Sequence, residues 1–321
     1  MLIRPMKTAK RRHVFIFVAS VQLFLIAFFS PIVSDAQMYA DWARMNQYGN
    51  TNFGWKCLSK AMWALWPNAK SLLCAVSVIS LYAVAHFVEK HSKDPFLSYF
   101  IYICMGIWAY SFFVFRQAIA FAVCLVAYDY LVDRDLRKFT IMVLIASLFH
   151  ETALFFLLAY PFSVPQRNDR AKVCLEIVCT VVFLVFYRQL LSVMLSVFRN
   201  GWLYEISEEV DGVGQLTILV VMTVACYLLD AGHRESVFQK SIELAGLLQL
   251  MSLHFPLMVR MVHYFDIAAM IALPDMLEAQ NEKRNKRVVQ AIIYISMLCI
   301  YIFSLNYGFP GGAAAYTPSL P

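Results

Sequence analysis

Residues 96–132 read FLSYFIYICMGIWAYSFFVFRQAIAFAVCLVAYDYLV, a long apolar and aromatic run that the polar pair Arg116-Gln117 interrupts. A charged side chain at the centre of a bilayer costs at least ~2.5–3.5 kcal/mol, so it usually faces a partner, a cavity or a substrate. If the chain turns back at this point, the arginine lies at the membrane surface and avoids this cost. We therefore expect a helical hairpin whose tip, with Arg116, lies at one face of a membrane.

The same pattern occurs twice more along the chain. Residues 139–163 are broken at His150-Glu151, and residues 241–274 are broken at His254 and Arg260. If each break is also the tip of a hairpin, all three tips lie at the same face. That face is where we place the candidate active site.

The composition is that of a membrane protein. Hydrophobic residues make up 61% of the 321 positions and charged residues 15%, and the mean hydropathy is +0.62. A soluble domain is ~45–50% apolar and ~25% charged. No packed core of this size hides so much apolar surface, so water-soluble classes of protein are excluded. We expect one integral membrane domain over residues 1–321.

The basic residues predict an orientation. Hydropathy windows indicate about eleven transmembrane segments, several of them short or re-entrant arms of hairpins. With the N-terminus inside and the C-terminus outside, most Lys and Arg residues fall in cytoplasmic loops, as the positive-inside rule requires. The net charge of +6 is then an orientation signal rather than a sign of nucleic-acid binding. Residues 14–33 are expected to be an uncleaved span, and residues 34–69 and 192–213 periplasmic loops.

Sequence motifs for several kinds of chemistry are absent. The chain has no G-x-x-x-x-G-K-[ST], no G-x-G-x-x-G, no H-E-x-x-H and no G-x-S-x-G, and its eight cysteines include no C-x-x-C pair. ATP hydrolysis, redox chemistry and metalloproteolysis are therefore not expected, nor is a cofactor or metal. The single D-x-D, Asp133-Arg134-Asp135, falls in a short cytoplasmic turn and is typical of a solvated loop.

Two arginines are candidate ligands for a phosphate group. A guanidinium binds phosphate through two parallel hydrogen bonds, which Arg116 and Arg260 could each provide. The alternative is that each arginine reaches the outer headgroups from a helix end. Their convergence on one face favours a pyrophosphate site.

His150 is the candidate general base, because imidazole titrates nearest to neutral pH. A cationic site would lower its pKa and keep it neutral, which is the form that a base requires. The alternative is a polar group bonded to a backbone carbonyl. Glu151 beside it could orient the ring or face the solvent, and we expect His254 and His263 to pack between helices.

Four further residues, together with Glu151, are candidates for binding substrate. Gln117 follows Arg116, and Tyr264 lies four residues after Arg260, on the same helical face. Tyr39 and Asp35 belong to the first outer loop, and Asp35 matters only if that loop folds over the site.

Three of these segments also carry a family resemblance. Phe115-Arg116-Gln117-Ala118-Ile119-Ala120, Phe149-His150-Glu151-Thr152-Ala153, and Arg260 with Tyr264 ahead of an apolar run ending at Pro274 resemble the EpsG-type family of Wzy-like exopolysaccharide and O-antigen polymerases. The resemblance extends from the first outer loop to about residue 275. One stretch departs from it: the family often has Glu-Pro-Gly-aromatic where this chain has Asn52-Phe53-Gly54-Trp55. This chain has no acidic side chain at that position, which favours His150 as the base.

The resemblance implies both a fold and an activity. The fold would be an all-helical polytopic bundle similar to the GT-C-like glycosyltransferases that use lipid-linked sugars, in the bacterial inner membrane with its active site facing the periplasm or the cell exterior. Such enzymes join repeat units carried on undecaprenyl pyrophosphate, without nucleotide sugar, cofactor or essential metal. Arg116 and Arg260 would stabilise the leaving pyrophosphate, His150 would accept the proton of the attacking hydroxyl, and aromatic residues of the first loop would stack on sugar rings. The implied partners are the lipid-linked oligosaccharide, membrane lipid, a chain-length regulator and a flippase, but no nucleic acid.

Two other functions fit the residues less fully. A flippase or exporter of a lipid-linked glycan should have charged residues lining a path from both sides and an inverted repeat, and neither is visible in the sequence. A membrane glycan ligase or an acyltransferase could share the arginine and histidine chemistry. Only the family patterns separate a ligase from a polymerase.

Overall fold

The described part of the chain is helical. The computed structural model describes residues 9–32, 35–49, 51–163, 236–252, 258–279 and 283–303, and these ranges contain no β-strand. The helices are α1 (Ala9–Phe29), α2 (Asp35–Met45), α3 (Phe53–Leu65), α4 (Ala69–His91), α5 (Pro95–Cys104), α6 (Tyr110–Phe113), α7 (Phe115–Val132), α8 (Leu136–Ser147), α9 (Ala159–Ser163), α10 (Val237–Ser252), α11 (Met258–Asp266), α12 (Ala269–Ala279) and α13 (Lys283–Phe303). Short 3-10 helices, Ile107–Ala109 and Glu151–Leu158, precede α6 and α9.

Three of the described helices are long and apolar enough to cross a membrane. They are α1, α4 and α7, with 21, 23 and 18 residues. At ~1.5 Å per residue, even an 18-residue helix rises ~27 Å, close to the ~30 Å of a hydrocarbon core. The all-helical fold and these spans agree with the expected polytopic membrane protein. The expected total of about eleven segments stays a prediction, because residues 164–235 lie outside the described residues.

Polar residues mark where the helices begin. The Asn68 side chain accepts a hydrogen bond from the backbone N–H of Lys70 at 2.9 Å and caps α4. Asp94 caps α5 by accepting from two backbone N–H groups, and Pro95 occupies the first helical position, where its missing N–H has no consequence. Gly106 ends α5 at a φ of 73°, in the left-handed region that glycine adopts without strain.

The antiparallel helices α1 and α4 are joined by hydrogen bonds at both ends. Arg12, near the start of α1, donates to the backbone carbonyls of Val88 and Glu89 at 2.7 and 2.6 Å. At the other end, Lys70 of α4 donates to the carbonyl of Phe28 at 2.6 Å. Each basic residue therefore donates to carbonyls in the last turn of the partner helix, where the helix dipole favours a positive charge.

A buried carboxylate joins the C-terminal ends of α4 and α7. Asp129 accepts from His86 at 2.8 Å, from Lys90 at 2.9 Å and from His91 at 2.6 Å. The helices α4 and α7 are therefore parallel, and their N-terminal ends meet at the opposite end of the bundle. The helices α2 and α3 of the first expected outer loop also lie there, since they pack against α4 and Tyr39 of α2 touches the start of α7.

Two of the three polar breaks coincide with interruptions of the described helices. The first is wider than expected, because residues 105–114 contain only short 3-10 and α-helical turns, and α7 begins at Phe115. The second is a tight turn at residues 148–150, between α8 and the 3-10 helix. With 12 residues, α8 rises only ~18 Å, as expected for a short hairpin arm. Of the third break, Arg260 lies within α11, and His254 lies outside the described residues.

Candidate functional site

The site is assembled from three segments that are distant in sequence. They are the turn before α3, the first turn of α7 and the turn between α8 and the following 3-10 helix. A backbone hydrogen bond of 2.8 Å from the Gly54 N–H to the Leu148 carbonyl joins the first segment to the third. A Cβ atom at Gly54 would lie 2.9 Å from that carbonyl oxygen, so only glycine permits the approach.

Arg116, in the first turn of α7, is held by Tyr39 of α2 and by Asn52 of the turn before α3. Its Nε donates to the Tyr39 hydroxyl at 3.1 Å and its Nη1 donates to the Asn52 Oδ1 at 3.0 Å. The guanidinium also lies 5.7 Å from the centre of the Tyr39 ring, within the range of a cation–π contact. The Nη2 group makes no hydrogen bond with the described residues, so it remains available to a ligand.

Asn52 also contacts the third segment, and sequence reasoning did not propose it as a site residue. Its Nδ2 donates to Glu151 Oε2 at 2.9 Å. The side chain thus stands between Arg116 and Glu151 and bonds to both. In the sequence, Asn52 is marked only by its place in the stretch that departs from the family pattern. The two residues before it are also polar, so an asparagine there does not stand out.

His150 is buried in the turn, and a second residue that sequence reasoning missed orients it. The Thr152 hydroxyl lies 2.7 Å from His150 Nδ1 and 3.1 Å from the hydroxyl of Tyr264 on α11. The threonine therefore links the imidazole to the helix that carries Arg260. His150 was expected either as a base or as a group bonded to a backbone carbonyl, and the described partners of its Nδ1 are the hydroxyl of Thr152 and, at 3.4 Å, the backbone N–H of Thr152.

Arg260 interacts with the site in two ways: its backbone carbonyl accepts a hydrogen bond, and its charge lowers the pKa of His150. Its carbonyl accepts a 2.8 Å hydrogen bond from the Gln117 Nε2, which ties α7 to α11. Gln117 is fully buried, so it is placed to fix the helices. The Tyr264 ring is also buried and packs on Phe121 at 4.5 Å, with its hydroxyl directed to Thr152. The side chain of Asp35 lies outside the described residues.

Opposing charges set the protonation states in the turn, which lies outside the three candidate spans. Burial lowers the pKa of His150, and the charges of Arg116 and Arg260 lower it further, while Glu151 opposes them. Burial acts to raise the pKa of Glu151, but the hydrogen bond from the Asn52 amide and the charge of Arg116 act against it, and the pKa is lowered. Near neutral pH, the turn therefore presents a neutral imidazole beside an ionised carboxylate.

The aromatic residues of the first outer loop differ in exposure. Tyr39 and Trp55 are buried and pack with Phe115 as a platform beneath Arg116, with ring centres 4.9–6.0 Å apart. They are therefore not free to stack on a sugar, as the resemblance implied for this loop. Phe53 and Trp66 remain exposed.

A metal site in a protein needs several His, Cys, Asp or Glu side chains close together. Within the described ranges, no group of three or more His, Cys, Asp or Glu side chains is arranged to hold a metal ion. The chemistry available at the site is that of two guanidinium groups, an imidazole and a carboxylate.

These features describe a helical protein with three described helices long and apolar enough to cross a membrane, and with arginine, histidine and glutamate side chains gathered at one end of the bundle. Comparison with known proteins gives the family: the model of the EpsG family matches residues 12–318. The chain therefore belongs to the EpsG family, which confirms the resemblance read from its motifs. No curated protein and no solved structure matches it.

Proposed function

We propose that the protein polymerises oligosaccharide repeat units carried on undecaprenyl pyrophosphate into an O-antigen or exopolysaccharide. The reaction takes place at the periplasmic face of the bacterial inner membrane. Membership of the EpsG family supports a polymerase-like role, and the arrangement around Arg116 supports the choice of substrate.

The observation that carries the proposal is the position of Arg116 beside the His150-Glu151 turn. Tyr39 and Asn52 hold the guanidinium through Nε and Nη1, and the Nη2 edge is open among the described residues. A fixed guanidinium with an open edge suits an oxyanion, which it binds in a charge-assisted and often bidentate way. A group able to accept a proton lies in the neighbouring turn, as a transfer to a hydroxyl requires.

The proposed chemistry is a displacement at the anomeric carbon of the donor sugar. A hydroxyl oxygen of the acceptor forms the new bond to that carbon, and His150 takes the hydroxyl proton. The bond from the anomeric carbon to the pyrophosphate oxygen breaks, and its electron pair leaves with undecaprenyl pyrophosphate. Arg116 and Arg260 stabilise the charge on that leaving group, the term that usually dominates such catalysis.

The other residues of the site have supporting roles in this proposal. Gln117 and Tyr264 fix α11 against α7 and the His150 turn. Tyr39 and Asn52 hold the substrate-binding arginine in place, and Asn52 is in turn bonded to Glu151. Membrane lipid, a chain-length regulator and a flippase of the same pathway are the expected partners.

A deletion strain tests the proposal. Complementation with the wild-type gene should restore a ladder of surface glycan, whereas Arg116→Ala should leave single repeat units on the outer side. Arg137→Ala is the matched control, because Arg137 is exposed in the first turn of α8, at the opposite end of the bundle. Equal amounts of the three proteins in the membrane must be shown by immunoblot.

The same gel distinguishes the alternatives. Repeat units trapped on the cytoplasmic side of the deletion strain would identify a flippase. Full-length polymer that accumulates on its lipid carrier would identify a ligase. Long chains made by the Arg116→Ala protein would remove the proposed role of the arginine.

A further inference from the structure

Asn52 stands between two opposite charges that do not touch each other. Its Oδ1 accepts from Arg116 Nη1 at 3.0 Å, and its Nδ2 donates to Glu151 Oε2 at 2.9 Å. The charge of Arg116 acts on Glu151 across this amide. A direct ion pair between Arg116 and Glu151 is not formed.

The chemistry of the two partners fixes the orientation of the amide. A guanidinium can only donate hydrogen bonds, and an ionised carboxylate can only accept them. The amide oxygen must therefore face Arg116, and the amide nitrogen must face Glu151. Among polar side chains of this length, asparagine offers an acceptor and a donor together, whereas aspartate would add a second negative charge.

The amide is also held in place from the backbone. Asn52 occupies the position directly before α3, and two residues later the Gly54 N–H is bonded to the Leu148 carbonyl at 2.8 Å. Glu151 begins the 3-10 helix three residues after Leu148. The spacing between the three groups is therefore set by the fold rather than by the side chains alone.

Without the amide, Arg116 and Glu151 would be free to pair directly. Arginine and carboxylate commonly pair through two parallel hydrogen bonds, which occupy one edge of the guanidinium. A pair of this kind would compete with any oxyanion for the same N–H groups. It would also neutralise the charge that attracts the ligand.

We propose that Asn52 is a positioning residue that keeps Arg116 and Glu151 apart, so that Arg116 presents its open edge to the pyrophosphate of the substrate. This inference rests on the proposed function, which assigns the pyrophosphate to Arg116. Asn52 acts through the arginine and need not touch the substrate.

The test measures pyrophosphate binding in a mutant cycle. Full-length proteins in lipid nanodiscs are titrated with inorganic pyrophosphate by isothermal calorimetry: wild type, Asn52→Ala, Glu151→Gln and the double variant. Asn52→Ala lacks the amide that bonds to both Arg116 and Glu151, so it should bind pyrophosphate at least about ten-fold more weakly than the wild type. A ten-fold loss is the scale of one charge-assisted hydrogen bond. The double variant should recover the affinity of Glu151→Gln, because glutamine cannot form the competing ion pair.

Two further variants serve as controls. Asn68→Ala removes another asparagine that precedes a helix, at a position that does not contact Arg116, and should bind like the wild type. Asn52→Ser keeps a favourable N-cap residue but is too short to bridge, so it replaces Asn52→Ala if that protein does not fold. Size-exclusion elution and thermal melting establish folding for each protein.

The outcomes separate the inference from the proposed function. Equal binding by wild type and Asn52→Ala, or weakened binding that Glu151→Gln does not rescue, overturns the role of Asn52 and leaves polymerisation standing. No binding of pyrophosphate by the wild type overturns the inference together with the pyrophosphate site on which the proposed function depends.

Discussion

At the scale of single residues, the proposed chemistry depends on side chains whose orientation is set by neighbours. Thr152 is the clearest case after Asn52, since its hydroxyl contacts both His150 and Tyr264. Thr152→Val keeps the shape of the side chain and removes both hydrogen bonds. The bond to the imidazole is the one that orients the base, and losing its contribution of about 1–1.5 kcal/mol should lower kcat roughly ten-fold. The rate of polymer formation by purified protein measures this.

The control for this variant is a threonine outside the site. Thr140→Val on α8 makes the same chemical change at a partly exposed position and should leave kcat unchanged. Wild-type kcat in Thr152→Val would contradict an orienting role for the hydroxyl.

The pH dependence of the reaction should follow His150. A base must be neutral, and burial together with Arg116 and Arg260 lowers the pKa of His150 from 6.5. Activity should therefore persist as the pH falls to 6.5 and be lost only as it falls through the lowered pKa. Glu151→Gln removes a charge that raises this pKa, so it should move the acidic limb to still lower pH.

The measurement is kcat/KM as a function of pH for both proteins. An acidic limb at or above pH 6.5, or one that rises in Glu151→Gln, would contradict the assignment of His150 as the base. The direction of the shift separates this assignment from a merely structural role.

The sequence identified some of these residues and not others for a physical reason. Arg116 and His150 interrupt apolar runs in which any polar group is costly, so they stand out without a structure. Asn52 and Thr152 lie where polar residues are ordinary, and only their distances to other segments reveal a role. The hydroxyl of Tyr39 accepts a hydrogen bond from Arg116, and the expected contact of Tyr39 with substrate stays a prediction.

At the scale of elements, the contact between the start of α3 and the α8 turn determines whether Asn52 can reach its partners. Gly54→Ala would place a Cβ 2.9 Å from the Leu148 carbonyl oxygen and 3.1 Å from its carbon. These are backbone atoms that cannot rotate away, so the segments must separate at a cost of about 1–3 kcal/mol. We expect a lower melting temperature and weaker pyrophosphate binding.

Thermal melting in nanodiscs and the calorimetric titration measure the two effects. Ala61→Ser, at an exposed position of α3, adds one atom where there is room and should change neither. An unchanged Gly54→Ala protein would mean that the two segments need not touch.

The hairpins predicted from the sequence agree in part with the helices observed. The short arm at residues 139–150 corresponds to α8, and the turn at His150 lies where it was expected. The arm before Arg116 is broken at Gly106 and at Val114, which hydropathy cannot detect because the intervening residues are as apolar as a helix. Backbone breaks inside an apolar run depend on packing, not on composition.

At the scale of the whole molecule, the two ends of the bundle carry different groups. Arg116, His150 and Asn52 lie at one end, and Asp129 with its three basic partners lies at the other. Hydropathy and the positive-inside rule predict that the first end faces the periplasm, but they say nothing of how the segments pack together. The site arises from that packing, so its geometry could not be predicted.

Accessibility of single cysteines tests this orientation. Cys57 is exposed on α3, and a protein that keeps it while the other seven of the eight cysteines are replaced should react with a membrane-impermeant maleimide in intact spheroplasts. In a background without native cysteines, Arg137→Cys should react only after permeabilisation. The reverse pattern would place the candidate site at the cytoplasmic face.

Polymerisation by the purified protein tests the central proposal most directly. Wild type, Arg116→Ala and Arg116→Lys are reconstituted in liposomes with a repeat unit linked to undecaprenyl pyrophosphate and no nucleotide. Wild type should give a ladder of products and release undecaprenyl pyrophosphate. Arg116→Ala should give none, and Arg116→Lys should be slower by about a hundred-fold, because a point charge replaces the guanidinium fork. No ladder from folded wild type, or ladders of equal length and rate from all three proteins, would contradict the proposal.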